Sequence, residues 1–206
     1  MDDAEDAGVL WHEYGHALLE SGSAGLNAAG EGQALHEGWS DYWAGSYSYS
    51  TPEGPTFVPN WMFTWDGHGT PVQCWYGRIM NAFGAQYVHS TTYTAHMPIP
   101  GGYQSDELWS TPCYQAMLSV VEEYGEPKES MDTIMLESQF GMGSGFKMRD
   151  FAYVIIATSQ ELYPEGPHAQ VLVEKFLVHN IILAPVPIVS VASNRRCSSD
   201  SHNGRQ

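Results

Sequence analysis

The feature that most constrains this chain is a pair of histidines spaced four residues apart within an apolar stretch. The stretch reads VLWHEYGHALLE over residues 9–20 and contains His12 and His16. Residues four apart lie on one face of an α-helix, one turn above the other. Two imidazole nitrogens can therefore converge on one metal ion, and zinc readily accepts such ligands. We predict a helix over residues 4–20 with a metal site on one of its faces.

The glutamate that follows the first histidine completes an HExxH motif. Glu13 lies beside His12 on an adjacent face of the predicted helix. From there its carboxylate can take a proton from a water molecule that the metal activates, without binding the metal itself. The motif therefore predicts Glu13 as a general base. The alternative is that the two histidines are hydrogen-bonded members of a helix core.

A second motif, HEGWSDYWAG, lies in a helix predicted over about residues 31–45. It places Glu37 and Asp41 four residues apart, on one face. A catalytic zinc ion has three protein ligands and one open position. One carboxylate can therefore bind the metal, while the other accepts the spare N–H of a ligand histidine. We predict a site in which His12, His16 and Glu37 bind one zinc ion and Asp41 orients a histidine.

Together these motifs resemble those of the gluzincin metallopeptidases. The segments WHEYGHALLESGSAG and ALHEGWSDYWAG are similar to the fungalysin-like branch, in which HEYGH is followed by a GEGWSD-type motif. The thermolysin family, a more distant relative, has the same combination of HExxH and ExxxD motifs. DELWSTPCYQAML, residues 106–118, resembles the GEIWA-type helix of the family, and weaker similarities continue to about residue 182.

The resemblance implies a role for each matching residue. His12, His16 and Glu37 would be the ligands of one zinc ion per chain, Glu13 the general base and proton shuttle, and Asp41 the partner that orients His12. The implied reaction is hydrolysis of internal peptide bonds in a protein or peptide substrate. Calcium is a further candidate ion without assigned ligands. The resemblance also implies secretion, although the acidic first residues show no signal-peptide pattern.

The expected fold is mainly α, a gluzincin-type helical catalytic domain with long ordered loops. We predict the domain over residues 1–190 and a polar, flexible tail over residues 191–206. Further helices are predicted at about 105–124, 131–138, 147–162 and 168–180. Residues 47–102 are rich in Ser, Thr, Pro, Gly and aromatics and are expected to form ordered loops with short strands.

The sequence departs from the family pattern at two places. His36 stands where fungalysin-like proteins have a glycine before the glutamate. Adjacent helical positions point about 100° apart, so we expect His36 to flank the metal site and not to join it. The family also has a histidine just upstream of the GEIWA-type motif, and here Tyr103 occupies that place. Tyr103 is the predicted hydrogen-bond donor to the oxyanion, with His89 and His96 as alternatives.

Other features bear on the partners of the chain. The formal charge of −16 argues against binding to nucleic acid or to anionic membranes. Gluzincins have a β-rich lobe before the HExxH helix, for which this chain leaves no room. Three explanations stay open: a separate N-terminal lobe or propeptide is a partner, the chain is a fragment, or residues 47–102 build the cleft. The aromatic run of residues 60–69 is expected to pack as a loop over the core, and the alternative is that it lines a substrate pocket. The pairing of Cys74, Cys113 and Cys197 stays open.

The function predicted from these observations is that of a zinc-dependent endopeptidase, or the catalytic half of one. An alternative from another class is a non-catalytic module that keeps a zinc ion for structure or binding. A third is a zinc aminopeptidase, for which the sequence shows no recognisable amine-binding motif. Replacing Glu13 with glutamine separates the first two, because only a peptidase would lose hydrolysis while it kept its zinc.

Overall fold

The protein is mainly helical, as predicted, in the part of the chain that the computed structural model describes, residues 5–57, 59–64 and 77–185. Six α-helices make up most of this part: α1 Ala7–Gly22, α2 Gly32–Ser50, α3 Ser105–Glu122, α4 Lys128–Ser138, α5 Met148–Leu162 and α6 His168–Val178. Two short antiparallel ribbons complete it: β1 Trp61–Met62 with β2 Arg78–Ile79, and β3 Pro98–Ile99 with β4 Tyr103–Gln104. The predicted tail and residues 65–69 of the aromatic run lie outside the described residues.

The first two helices differ from their predicted bounds for reasons of packing and capping. α1 begins at Ala7, because the Asp6 side chain accepts the N–H of Gly8 at 2.7 Å and caps the helix. α2 continues five residues beyond the predicted end at 45. Its last turn carries Tyr47, whose ring stacks on Trp11 of α1 with centroids 4.8 Å apart. Packing against the neighbouring helix thus extends α2 past the residue where its sequence pattern weakens.

Two glycines set how closely the helices approach one another. A Cβ atom at Gly15 of α1 would lie 2.8 Å from the Cα of Ser40 in α2. A Cβ atom at Gly38 of α2 would lie 2.6 Å from the carbonyl oxygen of Asp106 at the start of α3. Only residues without a Cβ allow these distances. The two contacts bring the HExxH helix, the second motif and the first turn of α3 into one region.

The core lies on the other side of α2 and α3. Trp109 of α3 is fully buried and stacks on Phe151 of α5 and Phe176 of α6, with ring centroids 5.2 and 5.7 Å apart. α1, in contrast, buries only His12, Gly15 and Leu19. The HExxH helix therefore lies at the edge of the molecule, where a site on it can be reached from solvent.

The apolar character of the helices and the state of one cysteine can be read from the described residues. None of the helices in the described residues combines the length and the apolar character needed to cross a membrane. Cys113 is fully buried in α3, and its thiol is free. Cys74 and Cys197 lie outside the described residues.

Candidate metal centre

The three predicted ligands meet between α1 and α2. The Nε2 atoms of His12 and His16 lie 3.0 Å apart, and Nε2 of His12 lies 3.3 Å from Oε2 of Glu37. Nε2 of His16 lies 3.7 Å from Oε1 of Glu37. Ligands bound tetrahedrally at zinc–ligand distances near 2.0–2.1 Å are separated by roughly 3.3 Å. The donor atoms are therefore close enough to one another to hold one metal ion.

Asp41 lies behind His12. Its Oδ1 is 2.8 Å from Nδ1 of His12, and the carboxylate is fully buried. A carboxylate at Nδ1 holds the proton on that nitrogen and leaves the lone pair of Nε2 to face the centre. The residue is thus placed where a partner that orients His12 would lie.

Arg78 lies among the carboxylates, a position that no pattern in the sequence predicts. Its Nη1 is 3.1 and 3.0 Å from the two oxygens of Asp41 and 3.4 Å from Oε2 of Glu37. The same nitrogen is 3.7 Å from Oδ2 of Asp106. The next residue fixes the strand, because the N–H of Ile79 donates to Glu107 of α3 at 2.8 Å. The guanidinium offsets the charge of buried carboxylates that would otherwise repel one another.

His96 also faces the centre. Its Nδ1 lies 2.6 Å from Oδ2 of Asp106, and its backbone N–H donates to the same carboxylate at 3.0 and 3.1 Å. Its Nε2 lies 3.7 Å from Oε2 of Glu37. The residue has a φ of 55°, a backbone conformation that non-glycine residues rarely adopt and that is held where contacts enforce it. Asp106 thus fixes both the backbone and the ring.

The three candidates for the oxyanion donor, Tyr103, His89 and His96, have different surroundings. The Tyr103 ring packs beside Gly84 and Gly101 and against the hydrophobic core. His89 directs its Nε2 to the carbonyl oxygen of Asn180 at 2.9 Å. His96, the remaining alternative, has its ring beside Glu37. Sequence position favours Tyr103, whereas the contact of the His96 ring with Glu37 favours His96.

Glu13 is exposed on α1, next to His12. Successive residues of a helix point about 100° apart, so its side chain leaves from the face beside the ligands. An exposed carboxylate in this position can exchange protons with water.

The charges of the centre are unevenly distributed. Burial lowers the pKa of His12, but contacts with Asp41 and Glu37 outweigh it and raise that pKa from 6.5 to about 9. Burial and the neighbouring His12 lower the pKa of His16 to about 4. Burial raises the pKa of Glu37, yet His12, His16 and Arg78 bring it down to about 2. These shifts favour a proton on His12 and none on His16 or Glu37 at neutral pH, so a metal ion held by these three residues would displace the proton of His12.

Two open depressions border the centre at different points along α1. One, of about 490 Å³, is lined in part by His16, His36 and Glu37. The other, of about 280 Å³, lies beside the first turn of α1 and includes Phe63, whose ring meets that of His12 edge-on with centroids 5.3 Å apart. The first depression therefore opens onto two of the three candidate ligands, His16 and Glu37.

A scan against protein-family models finds no match to this sequence, and a search of curated proteins also finds none. A functional assignment therefore depends on the motifs and on the geometry of the side chains that they bring together.

Proposed function

We propose that the protein is a zinc-dependent endopeptidase of the gluzincin type. The observation that carries the proposal is the meeting of His12, His16 and Glu37, with donor atoms 3.0–3.7 Å apart. Zinc, when bound there, supplies the Lewis acidity that activates water and polarises the carbonyl group of the substrate. The exposed edge position of α1 supports this use of the site, because a peptide chain can reach it.

The residues around the ligands have separate tasks in the proposed reaction. Asp41 holds the ring of His12, and Arg78 holds Asp41. Glu13 accepts a proton from the attacking water as the C–O bond forms, and passes it to the amine nitrogen as the C–N bond breaks. The products are a carboxylic acid and an amine, with the elements of water shared between them.

His96 is placed to stabilise the negative charge that develops on the carbonyl oxygen. Asp106 accepts the Nδ1–H and fixes the ring, so that Nε2 faces the centre. In its doubly protonated form the imidazole donates from Nε2 to the oxyanion. Loss of one such donor typically slows an enzyme by about 10²–10³-fold.

The test compares the wild type with Glu13→Gln for zinc content and for casein hydrolysis. The proposal expects one zinc ion per chain in both proteins and a rate at least about a hundredfold lower in the variant. Glu129→Gln, which changes an exposed glutamate on α4, is the matched control and should hydrolyse casein at the wild-type rate.

Other outcomes would overturn the proposal. Zinc in both proteins with hydrolysis in neither favours a non-catalytic zinc module. Hydrolysis only of peptides with a free amino terminus, releasing one residue at a time, favours an aminopeptidase. Equal hydrolysis by wild type and Glu13→Gln would remove Glu13 from the reaction.

A further inference from the structure

His36 is buried directly behind the metal ligand His16. It precedes Glu37 on α2, is 6% exposed, and stacks on the ring of His16 with centroids 4.6 Å apart and planes 25° apart. The Nδ1 atoms of the two rings are in contact. The fungalysin-like pattern has a glycine at this place, so the contact is a feature of this chain.

The hydrogen on His16 must be on the nitrogen that faces His36. Nε2 of His16 faces the centre, where it lies 3.0 Å from Nε2 of His12. A neutral imidazole carries one hydrogen, and a nitrogen that binds a metal cannot keep it. The hydrogen of the ligand His16 is therefore on Nδ1. Two atoms face Nδ1 as acceptors: Oγ of Ser40 at 3.0 Å and Nδ1 of His36.

The far side of His36 indicates which of its nitrogens accepts. Its Nε2 is buried and has no hydrogen-bond partner among the described residues. The carboxylate of Glu20, at the last turn of α1, lies 3.8 Å from this nitrogen. An N–H at Nε2 faces that negative charge, which leaves Nδ1 as the acceptor. Glu20, His36 and His16 then form a line from solvent to the centre.

We propose that His36 is a positioning residue, which accepts the Nδ1–H of His16 and aims Nε2 of that ring at the zinc site. It would do for His16 what Asp41 does for His12. Such outer partners fix the orientation of a ligand and raise its basicity, and their removal typically weakens metal binding 10–100-fold. Since this role rests on the proposed zinc site, its test must report on zinc binding separately from catalysis.

The experiment measures the zinc dissociation constant by chelator competition for wild type, His36→Leu, His36→Asn and Ser40→Ala. We expect His36→Leu to weaken binding at least about tenfold. The side-chain oxygen of asparagine can take the place of Nδ1, so His36→Asn should recover most of the affinity. Ser40→Ala removes the competing acceptor and should stay close to wild type.

Two further measurements separate positioning from ligation and from folding. Cobalt-substituted proteins should all keep the absorption intensity of the wild type, because His36 is not a ligand. Glu20→Gln changes a side chain that is 59% exposed and does not endanger the fold. It should weaken zinc binding in the same direction as His36→Leu, though less.

The outcomes against the proposal are distinct. Zinc binding by the wild type with an unchanged dissociation constant in His36→Leu overturns the role of His36 alone. If Ser40→Ala weakens zinc binding and His36→Leu does not, the acceptor of the His16 Nδ1–H is Ser40. A changed cobalt spectrum in His36→Leu would make His36 a ligand. No zinc on the wild type overturns this role and the proposed function together.

Discussion

In the proposed zinc site, His12 is the ligand at which a proton would compete most strongly with the metal ion. Its pKa is raised to about 9, whereas that of His16 is lowered to about 4. Between these values zinc must displace one proton, from His12, and a higher pH makes that displacement easier. At a histidine with an unperturbed pKa, protons would compete with the metal ion only below about pH 6.5. The two carboxylates that contact His12 extend this competition into the alkaline range.

We therefore expect the apparent zinc affinity to rise about tenfold per pH unit from pH 6 to pH 8, as binding with release of one proton requires. Competition with a chelator, corrected for the protonation of the chelator itself, measures this slope. A dissociation constant that stays constant over the range would show that His12 carries no proton in the metal-free protein.

Arg78 is expected to stabilise the fold through its contacts with buried carboxylates. Its side chain is 11% exposed and contacts the fully buried Asp41 and Asp106. Arg78→Gln should lower the free energy of unfolding of the zinc-free protein by about 3 kcal/mol, because buried carboxylates lose their cation. Zinc should recover part of this loss, since it brings positive charge to the same group.

Urea denaturation with and without zinc measures both quantities. Arg149→Gln, which removes a half-exposed arginine on α5, is the control and should change stability by less than about 0.5 kcal/mol. If Arg78→Gln lowers the free energy of unfolding equally with and without zinc, the electrostatic explanation is wrong.

The residues of the centre differ in how well their positions could be predicted from the sequence. Glu37 and Asp41 follow from helical spacing, because a separation of four residues determines which side chains share a face. Arg78 and His96 could not be placed in this way. Arg78 reaches the centre from β2 and His96 from the turn before β3, through contacts with residues of α2 and α3 that no local pattern encodes. Tyr103 stays a prediction from its sequence position, and the structure adds that its ring packs beside Gly84 and Gly101.

At the scale of elements, the contact between α1 and α2 determines the distance between histidine and glutamate ligands. Gly15 makes this contact possible, because a Cβ there would meet the backbone of Ser40 at 2.8 Å. Alanine favours a helix over glycine by about 1 kcal/mol, yet Gly15→Ala should lower the free energy of unfolding by about 1–3 kcal/mol through overpacking. It should also weaken zinc binding, since Glu37 moves away from His16.

Urea denaturation and zinc titration of Gly15→Ala test this expectation. Ala17→Gly is the control, because it alters helix propensity at an exposed position of α1. It should cost about 1 kcal/mol and leave the zinc affinity unchanged. Wild-type affinity in Gly15→Ala would mean that the two helices can separate without opening the centre.

The helices themselves could largely be predicted, because apolar residues recur at helical spacing in each of them. Their ends and the ribbons could not. α2 runs to Ser50 because Tyr47 stacks on Trp11, a contact between residues 36 positions apart. β1 to β4 have two residues each, too few to show the alternation that marks a strand.

At the scale of the whole molecule, Glu31 joins distant parts of the chain. It is fully buried at the start of α2 and accepts the hydroxyl of Tyr87 at 3.0 Å and the N–H of Met148 at 2.8 Å. Tyr87→Phe removes a hydrogen bond to a carboxylate and should lower the free energy of unfolding by about 1.5–3 kcal/mol. The zinc affinity should not change.

Urea denaturation of Tyr87→Phe beside Tyr153→Phe, which changes an exposed tyrosine on α5, provides the comparison. Less than about 0.5 kcal/mol is expected for the control. A similarly small effect in Tyr87→Phe would show that Glu31 does not depend on this hydroxyl. Such long-range links explain why the mainly helical class followed from sequence patterns while the order of packing did not.

The proposed function depends on α1 and α2 bringing His12, His16 and Glu37 together to bind one zinc ion. Native mass spectrometry of the protein, after addition of zinc and removal of the excess, measures this binding, with Glu37→Gln as the comparison. We expect one zinc ion per chain in the wild type and largely metal-free protein in the variant. Equal zinc content in the two proteins, or none in the wild type, would contradict the account.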